Sequence, residues 1–243
     1  MRRPGRTATE RFRSSALLVR KAPFGESDAM ITLFTEAKGI VTAAARSARR
    51  SGRRFAALEP IHLLHVTLDE RSGSDVATLV ESVLLRPRLA LVTSLDGLEA
   101  AGKALRWIRR AVPASSPEPE LWTEINGLLD ALDAIDPRAP NCAETCGGLL
   151  VRMGLRMLSV LGFGLELNRC VRCERPCPDG ATACFSPSAG GIICRACGGA
   201  PGTLRGALRN QLVTLARGEH VEMAANEVDA AIATIDAALV AHA

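Results

Sequence analysis

The sequence predicts an α+β fold, with a small N-terminal β-barrel or sandwich followed by an all-helical domain that carries an inserted cysteine-rich loop. Three observations point there. Residues 1–85 consist of short apolar runs separated by turn signals. After Pro87 the apolar residues recur at helical spacing. Six of the eight cysteines fall within residues 168–202, between two helical stretches. The expected organisation is a β domain over 1–85, helices over 86–167, a metal-binding loop over 168–202 and C-terminal helices over 203–243. A chain of 243 residues, 47% hydrophobic and 23% charged, is long and apolar enough to bury such cores.

Ser15 to Arg20 is the first compact run, and Ala22 to Ser27 reads as a loop. Ala29 to Thr35 alternates in part, Glu36 to Gly39 turns, and Ile40 to Arg46 resumes an extended pattern. Pro60 opens a fourth strand, Ile61 to Leu68. Arg71 to Ser74 turns, and Val76 to Leu84 closes the set. Leu89 to Val112 has no internal proline and reads as one helix. Pro113 to Pro119 is a linker, Leu121 to Ile135 a helix, and Asp136 to Pro140 a break. Asn141 is placed to N-cap a helix running to about Leu161, on which Arg152, Arg156 and Ser159 form one polar stripe. Leu204–Arg217 and Ala225–Val240 are the last two predicted helices.

The net charge of +4 hides an asymmetry. Residues 1–54 hold 13 Lys+Arg against 4 Asp+Glu, whereas residues 55–243 hold 17 against 22. A basic end on a mildly acidic body suits a polyanionic partner. No stretch reaches the roughly 18 uninterrupted apolar residues of a membrane span; Leu149 to Leu167 is broken by Arg152, Arg156 and Glu166. Arg2 to Arg13 is not followed by the apolar run of a secretory signal, so a reducing, cytoplasmic setting is expected and the cysteines are not read as disulfides.

Cys170 with Cys173, and Cys194 with Cys197, are two C-x2-C pairs separated by twenty residues, at the edge of zinc-ribbon spacing. Each pair can approach one ion from a tight turn, and together they complete a tetrahedron of thiolates with no open position for water. Such a site staples a loop rather than catalyses. Arg169, Arg172 and Arg195 offset part of its negative charge. Two alternatives stay open: Cys177 could replace a member of the first pair, or the thiols could stay metal-free. Cys184 is unassigned. Cys142 and Cys146, four apart in line with Leu149, Leu150, Met153 and Met157, read as core.

Arg46, Arg49, Arg50, Arg53 and Arg54 place five arginines in nine residues after the third strand. Lys38 and Arg20 join them as candidate DNA contacts. Guanidinium groups pair bidentately with phosphate oxygens, and neutralising several phosphates releases counterions. The bland alternative is a solvated loop whose charge only aids solubility. Phe12, Phe24, Phe34 and Phe55 are the aromatic residues of this region, too few for a strong stacking platform, so binding should lean on backbone charge. His62 and His65, three apart on a predicted strand, point to opposite faces. The sequence has no P-loop, G-x-G-x-x-G, G-x-S-x-G or H-E-x-x-H, and no enzymatic activity is expected.

Taken in order, these segments resemble the RecO family of bacterial recombination mediators. The likeness runs through Ala16 to Arg20, Gly25 to Asp28, Ile31 to Thr35, Gly39, Ala45-Arg46, Leu58 to Pro60 and Glu81. It continues through Leu155 to Leu158, Leu161 to Phe163, the first cysteine pair, Phe185, Gly190-Gly191 and the second pair. The resemblance implies an N-terminal OB-fold, a helical domain and a zinc-stapled loop. It also implies a nucleoid-associated protein that binds single- and double-stranded DNA, anneals complementary strands, partners RecR, and helps RecA replace single-strand-binding protein. Arg46 is the DNA contact that carries over residue by residue; the other arginines rest on electrostatics. Cys177, Cys184, the arginine-rich leader and a short C-terminal end depart from the pattern. Two rival functions stand beside this one. A zinc-dependent nucleic-acid-modifying enzyme would need an open metal position and a nearby carboxylate. An adaptor would bind a protein tail, such as that of single-strand-binding protein, through the helical domain.

Overall fold

The computed structural model describes residues 9–48, 55 and 58–242. The chain forms two compact units, Met1–Leu89 with Ile108–Trp122, and Ala90–Trp107 with Thr123–Ala243.

The first unit contains five strands: β1 (Thr9–Phe24), β2 (Asp28–Thr35), β3 (Gly39–Ala45), β4 (Leu63–Arg71) and β5 (Ala77–Arg86). They close into a barrel in the order β1-β2-β3-β5-β4, antiparallel except for the β3–β5 pair. Of the two β architectures the sequence allowed, the barrel is the one formed. Closure depends on β1, which is far longer than the expected Ser15–Arg20 and takes in the start of the expected 22–27 loop. Its first half pairs with β4 and its second half with β2, with a bulge between Leu18 and Arg20 that lets one strand serve both neighbours. The extension was masked by charge. Phe12, Ser14 and Ala16 turn inward while Arg11 and Arg13 stay exposed, and Arg11 sits opposite Asp69, donating to both carboxylate oxygens at 2.6 and 2.8 Å. Leu18, Ile31, Leu33, Val41, Leu64, Val66, Leu68 and Leu79 fill the interior.

Gly39 closes the β2–β3 turn at φ +64°, where a Cβ would lie 1.9 Å from the Ser116 carbonyl oxygen. The segment after the helix returns along this edge: Ser115 N–H donates to the Ile40 carbonyl, and Phe34 packs edge-on against Trp122. At the other end of the unit, Ile61 holds φ +73°, a strained geometry for a β-branched residue. Its carbonyl accepts from the fully buried guanidinium of Arg88, whose own N–H donates to His62 Nδ1 at 3.2 Å. His62 therefore precedes β4 rather than lying in it.

The second unit is helical. The expected single helix from Leu89 is two, α1 (Leu89–Thr93) and α2 (Leu95–Ala111), because Ser94 interrupts it as a cap: its Oγ accepts the Gly97 N–H at 3.0 Å. α3 (Pro119–Asp133) and α4 (Cys142–Val160) follow. Asn141 stands at the N-cap of α4, but its side chain makes no capping bond. Arg152 and Ser159 are exposed and Arg156 is half-buried, as the polar stripe required. The loop region folds into a three-stranded sheet, β6 (Ala183–Ser186), β7 (Gly191–Ile193) and β8 (Gly202–Leu204), in the order β7-β6-β8. Leu204 ends β8, so α5 (Gly206–Ala216) starts two residues later than expected; α6 (Ala225–His242) closes the unit.

α4 packs on α6 through glycines. A Cβ on Gly154 would lie 2.8 Å from the Trp107 ring and 3.0 Å from Ile235. Trp107 cannot retreat, because its Nε1 donates to Asp236 at 2.7 Å and Asp236 also holds Lys103. Gly154→Ala should therefore destabilise the protein by about 1–3 kcal/mol despite the gain in helix propensity, measured as a lowered denaturation midpoint.

Candidate functional site

In sequence the first cysteine pair precedes β6 and the second follows β7, and local hydrogen bonds shape each one. At the first, an Arg169–Pro176 bridge closes a narrow loop. Cys170 N–H donates to the Arg175 carbonyl at 3.0 Å and Glu174 N–H to the Cys170 carbonyl at 2.8 Å, with Glu174 at φ +58°. At the second, the chain leaves β7 extended at Cys194 and enters a 3-10 turn, Arg195–Cys197, which Gly198 ends at φ +96°. Val171 N–H to the Ile192 carbonyl (2.9 Å) and Arg172 Nη1 to the Cys197 carbonyl (2.7 Å) tie the two turns together.

The sulfurs of Cys170, Cys173, Cys194 and Cys197 all lie within 4.8 Å of one another. Cys173 and Cys194 are 3.7 Å apart. A tetrahedron with metal–sulfur bonds of about 2.3 Å has an edge of about 3.8 Å. The four thiols are thus spaced to hold a metal ion. Cys177 and Cys184 are half-buried and outside this group.

Two of the four thiols are shifted in opposite directions. The Cys170 thiol is lowered to about 6, first because the Cys194 N–H donates to its sulfur at 3.3 Å. Cys197 is pushed up to about 12, first by its hydrogen bonds with the Cys173 and Cys194 thiols. Without a cation the group cannot hold four negative charges at this spacing. Cys142 and Cys146 behave differently. They are buried, their sulfurs 4.0 Å apart, and Cys142 lies 3.8 Å from Ser94 Oγ. Burial pushes the Cys146 thiol up to about 12. They are core residues, as their helical register indicated.

The residue that sequence reasoning missed is Arg209, on α5. Only 1% exposed, it donates to the carbonyls of Leu167 (2.7 Å), Pro178 (2.6 Å) and Ala181 (3.3 Å). Nothing in a Leu-Arg-Asn-Gln helix marks one arginine as buried. Glu166 secures the same end of the ribbon: its backbone pairs with Gly190 and Ile192, and its carboxylate accepts from the N–H groups of Asn168 and Arg169 and the Arg169 guanidinium. Burial works against its charge, yet these donors outweigh it and hold the carboxyl below its usual range.

The barrel's candidate DNA contacts divide into two groups. Arg20, on β1, and Arg46, just past β3, are exposed, and neither side chain has a hydrogen-bond or ion-pair partner among the described residues. Lys38 is engaged, paired with Glu70 at 2.5 Å and lying 4.3 Å over the Phe12 ring. Arg49, Arg50, Arg53 and Arg54 lie outside the described residues.

A small closed barrel joined in one chain to a helical unit with a four-thiol ribbon is an α+β architecture in which charge and metal chemistry occupy separate parts. The family model described as Recombination protein O N terminal matches residues 10–88, and Recombination protein O C terminal matches residues 93–239. The chain is 36% identical over 197 residues to the DNA repair protein RecO of Anaeromyxobacter sp. (strain K), covering 81% of this chain and 73% of that one. To the DNA repair protein RecO of Geobacter metallireducens it is 29% identical over 238 residues, covering 96% and 93%. The chain belongs to the RecO family of DNA repair proteins. The barrel is its OB-like part, and no helix among the described residues is long and apolar enough to cross a membrane.

Two outcomes follow for the ribbon. Arg209→Met should cost about 3 kcal/mol or more, because three inward carbonyls lose their donor, and calorimetry should show the loss. The Glu166 contribution is fully present above the ordinary carboxylate pKa and is lost as pH falls through its lowered folded value. In denaturant titrations, the stability gap between the parent and Glu166→Gln should narrow as the pH is lowered.

Proposed function

We propose that this protein binds single- and double-stranded DNA through its barrel, anneals complementary strands and, with RecR, helps load RecA onto single-stranded DNA in gap and break repair. The observation that carries the DNA contact is that Arg20 and Arg46, on the barrel of a DNA repair family member, are exposed and without a partner among the described residues. Arg49, Arg50, Arg53 and Arg54 follow Arg46 closely in sequence and add to the positive charge there. Lys38 contributes less, since Glu70 already answers its charge. The RecR and RecA roles rest on family membership.

Annealing needs little chemistry from such a surface. Two complementary strands repel each other, and phosphate-binding cations lower that repulsion without reading bases. Base pairing then supplies the free energy, so no hydrolysis and no catalytic residue is called for. The four thiols hold Zn2+ as a structural ion, their spacing suiting a closed tetrahedral site.

Docking of the acidic tail of single-strand-binding protein in the helical unit finds less support. A cleft of about 400 Å3 there is lined by Leu149, Leu215, Met223 and Arg152, but also by Glu144, Glu219 and Glu222. Those carboxylates oppose an acidic peptide.

The combined reversal Arg46→Glu, Arg49→Glu and Arg50→Glu should abolish oligonucleotide binding and annealing at about 0.15 M salt, with circular dichroism unchanged. Full DNA affinity in a folded triple variant would contradict the proposal. The purified protein should carry one zinc per chain by elemental analysis, and Cys197→Ser should lose it along with thermal stability.

A further inference from the structure

Resting on the DNA-binding reading above, we infer that Phe24 is the barrel's single-strand stacking ring, taking one unpaired base while Arg20 and Arg46 on the same face hold neighbouring phosphates.

The strand register defines the face. Arg20 pairs with Thr32, which pairs with Thr42; Ala22 pairs with Met30, which pairs with Ala44; and Phe24 pairs with Asp28. Arg46 follows one residue beyond the Ala29–Ala45 pair. The alternate residues Ile31, Leu33, Ala43 and Ala45 belong to the barrel core, so these rows form the outer surface of β1–β2–β3. Apart from Asp28 these rows carry small or neutral side chains between the cations, and the backbone of a strand can lie close to them.

Of the barrel's four phenylalanines, Phe34 and Phe55 are buried and Phe12 lies beneath the Lys38 ammonium. Phe24 alone is open, 56% exposed at the end of β1, with no ring or cation partner among the described residues. An exposed ring at the end of a strand has no core to stabilise. Every base has a π-face, so a ring flanked by phosphate-binding cations grips single strands without reading sequence. A base inside a duplex is already stacked and cannot use it. Asp28, opposite Phe24, is the face's acid; one of its carboxylate oxygens accepts the Ser47 N–H at 2.7 Å.

The test is equilibrium binding of the full-length protein and its variants to a mixed-sequence single strand and to the matching duplex. Phe24→Ala should weaken single-strand binding about fivefold or more, leave duplex affinity within about twofold, and leave the salt dependence unchanged. Phe24→Trp should keep single-strand affinity, whereas Phe24→Leu, which retains apolar bulk without a π-face, should behave like Phe24→Ala. Unchanged single-strand affinity in Phe24→Ala, parental affinity in Phe24→Leu, or equal losses on both substrates would overturn the assignment while leaving DNA binding intact. A parent protein that binds neither substrate would overturn the DNA-binding reading itself.

Discussion

In the helical unit, the guanidinium of Arg209 is the point at which ribbon and helix become one structure. It reaches from α5 to carbonyls on both sides of the first cysteine pair, Leu167 before it and Pro178 and Ala181 after it. A buried cation without a carboxylate is costly unless its donors are satisfied. Here the fork is met by three carbonyls, each of which would lose that donor if the arginine were removed, although the Pro178 carbonyl also accepts the Ala181 N–H. The segment from Leu167 to Ala181 is therefore held by protein contacts alone. Glu166 and the Val171–Ile192 bond bring the second pair alongside. The four thiols are thus gathered by hydrogen bonds of the chain itself.

The barrel uses its charges in two ways. Arg11 is spent on Asp69, Lys21 on Glu59 and the Leu58 carbonyl, and Lys38 on Glu70. These pairs are part-exposed and each adds little stability; their effect is to remove cations from the free surface. Among the described residues Arg13, Arg20 and Arg46 remain exposed without such a partner. The N-terminal charge surplus visible in the sequence thus narrows to particular residues, on β1 and just past β3.

Much of this was legible in the sequence, and the physical reasons for what was not are specific. β2 and β3 stand out because their apolar residues alternate or run continuously, and the four-thiol cluster follows from two C-x2-C pairs. The long β1 stayed hidden because Glu10, Arg11 and Arg13 are polar, yet cross-strand pairing with β4 makes that segment a strand. The break at Ser94 depends on one hydroxyl accepting one N–H, which helical spacing does not report. Strands of three and four residues in the ribbon, held by pairing distant in sequence, carry too few side chains for a pattern. Burial of Arg88 and Arg209 depends on carbonyls supplied by other segments, so composition argues for the opposite.

The central claim is that DNA is held by phosphate contacts on the barrel, and its most direct test is the salt dependence of affinity for a single-stranded oligonucleotide. Each neutralised phosphate contributes a log–log slope of about −0.7. Engagement of Arg20, Arg46 and part of the adjacent arginine run predicts a slope of about −2 or steeper for the parent protein. A slope near zero would contradict the account.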